Sequence, residues 1–355
     1  MVDLSLLKKL TIVILSYNRH KYLKRTIKYW LNYNVKLLII DGSDLKLEEP
    51  LLRYKNIEYI HSSKGLYPRY LSTINNINTE FMILSCDDEF YLPSPLSSSI
   101  HFLENNPNFS CCGGCALGFG ITEDKKFYGI EKYIELKNVN LSHNSATERI
   151  ESHFSNYLPA HFYSVIRTKI WKKICKNVFE KEYKFYAAFE LQVELLILVA
   201  GKSKIIPELM WMRNANETSP IRYKHPTKTS SYAYTINDWW HDKHKKKEKE
   251  DFLMRMEVAC EDLLGPRVSK INKNKINELF ELYIDNVYLN QSLLRKFINL
   301  IPINVKIFLK SILGYNKIEK KISINNKAKI LESKKILVNY SELDQIILSL
   351  KSSLN

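Results

Sequence analysis

The sequence predicts an α/β fold, an open sheet with crossover connections flanked by helices and followed by a C-terminal helical region. Two observations carry this. In the first half, short apolar runs alternate with segments whose apolar residues recur every three or four positions. Strands alternating with helices imply an open sheet. Beyond residue 226 the composition becomes charge-dense with helical periodicity.

Residues 11–18, TIVILSYN, form the continuous apolar run expected of a buried parallel strand. Tyr22, Leu23, Thr26, Ile27 and Trp30 follow at helical spacing, with lysines and arginines between them. Residues 35–44, VKLLIIDGSD, are a second strand ending in a turn, and 57–63 are a third. A helix over 67–77 leads to a fourth strand, FMILSC at 81–86, and Pro93 and Pro95 open a helix running to 106. CCGGCALGFGI at 111–121 is a strand whose glycines allow close backbone approach. Residues 160–174 predict a strand then a helix; 189–201 a helix stopped by Gly201; 204–214 an extended segment. Residues 242–265 and 276–301 have helical periodicity. The expected division is 1–225 as catalytic domain, 226–322 as a basic helical region, and 323–355 as a tail with a short helix.

The 355 residues suffice for a substantial core, and the net charge of +15 implies an acidic partner. No apolar run reaches the roughly 18 residues that span a bilayer. Lys8 and Lys9 follow the first apolar residues without a cleavage pattern, so no secretory signal is expected. Six cysteines without framework spacing suit the reducing cytoplasm. Cys111, Cys112 and Cys115 lack a second pair at zinc-finger spacing, and a buried strand explains them. His161 and His225 are open to structural or site roles, and the run KHKKKEKE suits a solvated helix face.

Polar clusters fall at three strand ends: Tyr17, Asn18 and Arg19; Asp41 and Asp44; Asp87, Asp88 and Glu89. If these strands are parallel neighbours, the clusters line one crevice at their carboxyl ends, where open α/β sheets bind ligands. Three adjacent acids call for a cation, and hard Mg²⁺ or Mn²⁺ takes such carboxylates together with phosphate oxygens.

The motifs LSYNR (15–19), DGS (41–43) and CDDEF (86–90), followed by HFYSVIRT (161–168) and FELQVELLILVAGK (189–202), resemble those of a GT-A-fold glycosyltransferase of the family 2 type. They are closer still to a bacterial subgroup with SYNR, DGS and DDDF-like motifs. The resemblance covers about residues 10–215. It implies a Rossmann-like open mixed sheet and a nucleotide-sugar donor bound with a divalent metal, Mn²⁺ or Mg²⁺. By the same resemblance Asp41 would face the nucleobase, with Tyr17 against the base or ribose. Asp87 would face the ribose or sugar, and Arg19 and Arg69 would lie on the nucleotide-sugar. Asp88 is the first metal ligand and Glu89 the second, although Glu stands where the family more often has Asp. An inverting transfer needs a base for the acceptor hydroxyl. Glu190 holds the matching place, as EL instead of ED, with Glu194 one turn further on; a retaining reaction would need neither.

The implied activity is metal-assisted sugar transfer to a bacterial surface glycan such as capsule or O-antigen, with a lipid-linked acceptor among the candidates. A nucleotidyltransferase would carry a Gly-rich loop where this chain has SYNRHKYL, and no nucleic-acid-binding signature accompanies the basic charge. A non-catalytic sugar-binding relative stays open. Residues 293–321 mix large apolar residues with lysines and suit docking on an anionic membrane or packing on the catalytic domain. The expected location is cytoplasmic, peripheral to the inner face of the membrane if that segment docks.

Overall fold

The computed structural model describes residues 2–185, 187–215, 236–265, 271–289 and 322–352. The basic segment 293–321 and His225 lie outside them. β1 (Leu10–Ser16) leads into α1 (His20–Trp30), whose Leu23, Thr26, Ile27 and Trp30 share one buried face. β2 (Lys36–Asp41), β3 (Ile57–His61), α2 (Leu66–Asn76) and β4 (Phe81–Cys86) follow. A tight acidic turn joins β4 to the short β5 (Phe90–Tyr91), and Pro93 starts α3 (Pro93–Asn105). Next come β6 (Phe109–Ile121), β7 (Phe127–Lys132), β8 (Asn140–Leu141) and α4 (Ala146–Ser155). β9 (Val165–Arg167), α5 (Thr168–Phe179), α6 (Ala187–Ala200) and β10 (Lys202–Asn214) complete the sheet and its helices.

The strands form one mixed sheet in the order β3-β2-β1-β4-β9-β6-β10-β5, with β7 beside β6 and β8 beside β10. β1, β2, β3 and β4 run parallel. The short antiparallel β9 separates β4 from β6, so β6 and its parallel neighbour β10 point the same way as β4. Successive residues of the central strands face opposite sides: Val13, Met82 and Leu84 enter one core, Ile12, Ile14 and Ile83 the other. Both faces are covered, which is why β1 and β4 read as uninterrupted apolar runs. Gly114 marks a close approach: a Cβ there would lie 2.5 Å from Met210 Cβ and 2.8 Å from the Glu208 carbonyl.

The helices after residue 226 join this core. α7 (Ile236–His241) inserts Trp239 and Trp240 beside Phe252 of α8 (Lys246–Leu264) and Phe280 of α9 (Lys273–Ile284). Within the stretches of helical periodicity the chain makes a 3-10 turn at Lys243–Lys245 before α8 and a π turn at Asp285–Leu289 after α9, and 290–301 lie outside the described residues. The expected strand around 160–167 is likewise only β9, because His161–Tyr163 forms a 3-10 turn.

The C-terminal stretch holds two helices, α10 (Ile324–Ser333) and α11 (Tyr340–Ser352), in place of the single short one expected. α10 lies on β7, where Gly129 N–H donates to the Ile322 carbonyl at 2.8 Å. From α11, Glu342 reaches back to accept from Ser94 N–H at 3.0 and 3.1 Å, which caps α3 from 248 residues away. All six cysteines are free. Among the described residues no helix is long and apolar enough to cross a membrane.

Candidate active site

Because β1, β2, β4 and β10 share a direction, their carboxyl ends lie on one edge of the sheet. Asp87, Asp88 and Glu89 sit in the turn leaving β4, nearly buried at 2, 6 and 6 % exposure. Asp87 accepts from Ser16 Oγ at 2.7 Å and pairs with Arg19 Nη1 at 3.1 Å. Asp88 Oδ2 meets the Arg19 guanidinium and Asn214 Nδ2, the latter at 2.9 Å. Glu89 accepts from Trp211 Nε1 at 2.8 Å, with Arg213 Nε 3.8 Å away. The turn's backbone is held from α1: Thr26 Oγ1 donates to the Asp87 carbonyl at 2.7 Å, and Arg25 to that of Asp88 at 3.2 Å. Among the described residues, the cations holding the acids together are Arg19, Arg25 and Arg213.

Burial dominates the electrostatics. It pushes Asp87 up to about 7, against Arg19 and with help from Asp88. Burial and the Asp88 charge push Glu89 to about 8, with Arg213 opposing. Donor atoms of Cys86, Asp88 and Glu89 lie within 4.8 Å of one another. The Cys86 thiol is raised well above its usual range by burial and by the three acids, so it stays protonated. What remains are the hard oxygen ligands of the Asp88 and Glu89 carboxyls, which fit Mg²⁺ or Mn²⁺ and not a soft metal.

The β2 turn is ordered from within. Asp41, fully buried, accepts from Ser43 N–H at 2.9 Å, Tyr59 Oη at 2.8 Å and His20 Nε2 at 3.0 Å. Of these, His20 is part-exposed. Asn18 takes the left-handed backbone, φ 54°, which asparagine tolerates. Its side chain accepts from Asp44 N–H at 2.9 Å and donates to the Asp44 carboxylate at 2.8 Å, which ties the β1 and β2 turns together. Half-buried Tyr17 lies above Arg69, 6.0 Å from guanidinium carbon to ring centre. Arg69, 6 % exposed, donates to the Ser16 carbonyl at 2.7 Å. It passes so close under Gly42 that a Cβ there would lie 2.5 Å from the guanidinium carbon.

The two acids of α6 differ. Glu190, in its first turn, is open to solvent on one side. Crowding on its other sides pushes the carboxyl up to about 7; Arg213 opposes this and Glu194 adds to it. Glu194 is 2 % exposed and accepts backbone N–H groups of Ala160, His161 and Phe162 at 3.1, 3.0 and 2.7 Å, plus His161 Nδ1 at 2.7 Å. Burial would raise its pKa, but His161 and His153 hold it well below the usual carboxylate range. This carboxylate pins the 3-10 turn to α6, and His161 is engaged there. Cys111, Cys112 and Cys115 are buried in β6 and belong to no potential metal group among the described residues.

Sequence reasoning missed Arg25, Trp211, Arg213 and Asn214. WMRN ends a strand in polar residues just as SYNR does, so that signal was present; its edge depended on β9. Arg213 also stacks on Trp211 and Tyr133, 5.2 and 5.6 Å from their ring centres.

Residues 11–173 match the profile of Glycosyl transferase family 2. Comparison with curated sequences finds no match. Among solved structures, S. aureus TarS 1–349 in complex with UDP-GlcNAc is similar at TM-score 0.50 and 13 % identity, covering 81 % of this chain and 77 % of that one. TarS 1–349 with UDP gives TM-score 0.45 and 12 % identity, and TarS 1–349 alone 0.44 and 11 %; each covers 78 % of this chain and 88 % of the other. The sheet, its flanking helices and the acidic turn after β4 define the GT-A class of glycosyltransferase fold. Residues 11–173 thus carry a glycosyltransferase family 2 domain.

Proposed function

We propose that this protein transfers a sugar from a nucleotide-sugar to a bacterial surface glycan, assisted by Mn²⁺ or Mg²⁺. The observation that carries the reading is the convergence of the Asp41 turn, the acidic turn and, at the start of α6, the solvent-reachable Glu190 near Arg213. The nucleotide would lie over the β1 and β2 ends. A base N–H would reach Asp41 by displacing His20, its part-exposed partner, and Tyr17 would flank the base or ribose. Asp87 would face the ribose or sugar, and Arg19 and Arg69 would support the donor from below. Asp88 and Glu89 would hold the metal, whose charge neutralises the diphosphate leaving group.

Glu190 is placed to take the acceptor hydroxyl proton. A carboxyl near pH 7 is matched to that task, and the reading favours inversion. Glu194 has its lone pairs filled by backbone donors and acts as a positioning residue. A uridine nucleotide-sugar is the first donor to test, because the TarS complex of similar fold holds UDP-GlcNAc.

The test is a screen of nucleotide-sugars for Mn²⁺-dependent thermal stabilisation, followed by a transfer assay. Asp88→Asn should abolish transfer and Mn²⁺-dependent binding while circular dichroism shows the fold retained. Full activity in Asp88→Asn, or wild-type turnover in excess EDTA, removes the metal from the proposal; silence towards every nucleotide-sugar removes the proposal itself.

A further inference from the structure

The 3-10 turn His161–Tyr163 brings one more side chain to the crevice. β9 runs antiparallel to β4, with Arg167 opposite Phe81 and Ile166 opposite Met82. The chain just before β9 therefore lies towards the carboxyl end of β4 and its acidic turn. It touches β4, β6 and α6. Glu194 pins its backbone through the N–H groups of Ala160, His161 and Phe162, and Tyr163 N–H donates to the Ala160 carbonyl at 3.2 Å. The place of Tyr163 is thus set by a buried carboxylate on α6.

The Tyr163 ring stacks on Trp211, with 4.4 Å between ring centres and 21° between planes. Trp211 Nε1 in turn donates to Glu89 at 2.8 Å. One ring therefore separates Tyr163 from a carboxylate of the acidic turn. Burial first, then Cys86, Glu190 and Glu89, raise its phenol well above the usual range, with Arg213 opposing. These neighbours belong to the acidic turn on one side and to the start of α6 on the other. A phenol raised in this way keeps its proton near neutral pH, so it can donate a hydrogen bond and is no base.

A phenylalanine ring would stack on Trp211 as well as tyrosine does. The hydroxyl is surplus to the packing. Tyr163 is half-buried, and its Oη has no hydrogen-bond partner among the described residues. Nor has the Glu190 carboxylate. Polar groups in an enclosed site find a partner, and here that partner is a ligand or the water it displaces.

We infer that Tyr163 is a specificity-determining residue whose hydroxyl hydrogen-bonds a hydroxyl of the transferred sugar, a role that rests on the proposed transfer reaction. In that reaction the anomeric carbon lies between the diphosphate held at Asp88 and Glu89 and the base Glu190, and Tyr163 stands between the same groups. The partner is the sugar and not the nucleotide, because the nucleotide lies over the β1 and β2 ends, and β9 is on the other side of β4. A site that hydrogen-bonds a substrate hydroxyl discriminates against a sugar lacking it, since the site's own group is then left unpaired.

Tyr163→Phe keeps the ring and removes only the hydroxyl, and circular dichroism checks that it is folded. A panel of UDP-, GDP- and dTDP-sugars is screened for Mn²⁺-dependent thermal stabilisation of the wild type. The full-length wild type and the variant are then titrated by calorimetry with the best donor and with its free nucleoside diphosphate, both in Mn²⁺. Tyr163→Phe should bind the nucleotide-sugar about three- to tenfold more weakly and the free diphosphate with unchanged affinity. The donor KM should rise by the same factor, with the acceptor KM unchanged. Equal donor affinity in the two proteins, equal weakening towards donor and diphosphate, or a rise confined to the acceptor KM overturns this role and leaves the transfer reaction standing. A wild type that binds no sugar of the panel overturns the transfer reading, and this role with it.

Discussion

Replacing Glu194 by Gln separates the two acids of α6. Glu194 Oε1 receives three donors, Ala160 N–H, His161 N–H and His161 Nδ1, and Oε2 receives Phe162 N–H. An amide keeps one oxygen. With that oxygen at the Oε1 position, its NH₂ faces Phe162 N–H and leaves a buried donor without an acceptor, at a cost of about 1–3 kcal/mol. The remaining three bonds lose their ionic partner, which brings the expected loss to about 3–5 kcal/mol, the range for breaking a buried charged pair. The sign with pH follows from the depressed carboxyl. Its contribution is fully present above the unfolded-state value and fades as pH falls through the lower folded value. The deficit of Glu194→Gln should therefore be complete at pH 7 and shrink in acid. Urea unfolding followed by tryptophan fluorescence measures it, as a shifted midpoint at unchanged slope. A loss under 1 kcal/mol at pH 7 refutes the reasoning, because the 160–162 turn would then not depend on that charge.

Three more outcomes follow from the geometry. Glu190→Gln should lower kcat by about 10²- to 10⁴-fold with donor affinity nearly unchanged. In the wild type, kcat should rise with pH through about 7 as this acid ionises, a limb absent in the mutant; a flat wild-type profile would argue for a retaining reaction. Asp41→Ala should weaken nucleotide binding by roughly 10- to 150-fold, and calorimetry showing equal affinity would count against its role. Gly114→Ala sets a Cβ against Met210 and the Glu208 backbone and should cost about 1–3 kcal/mol, read as a lowered Tm; an unchanged Tm would show that β6 and β10 can part without penalty.

By itself the sequence determined the parts whose physics is local. Burial on both faces writes β1 and β4 as unbroken apolar runs, and the helical period of α1 is visible in Leu23, Ile27 and Trp30. The polar residues at three strand ends were legible for the same reason: they interrupt those runs, and the sheet order brings them to one edge. Tertiary structure decided what depends on partners distant in sequence. Whether β10 points Arg213 and Asn214 at Asp88 and Glu89 is set by β9, a three-residue strand too short to carry a periodic signal. Glu190 and Glu194 share a helix and a spacing that makes them look alike. Only the fold brings three backbone N–H groups from residues 160–162 onto one of them and leaves the other facing solvent. Hydrogen bonds and burial of that kind are properties of assembled segments, so no window of sequence contains them.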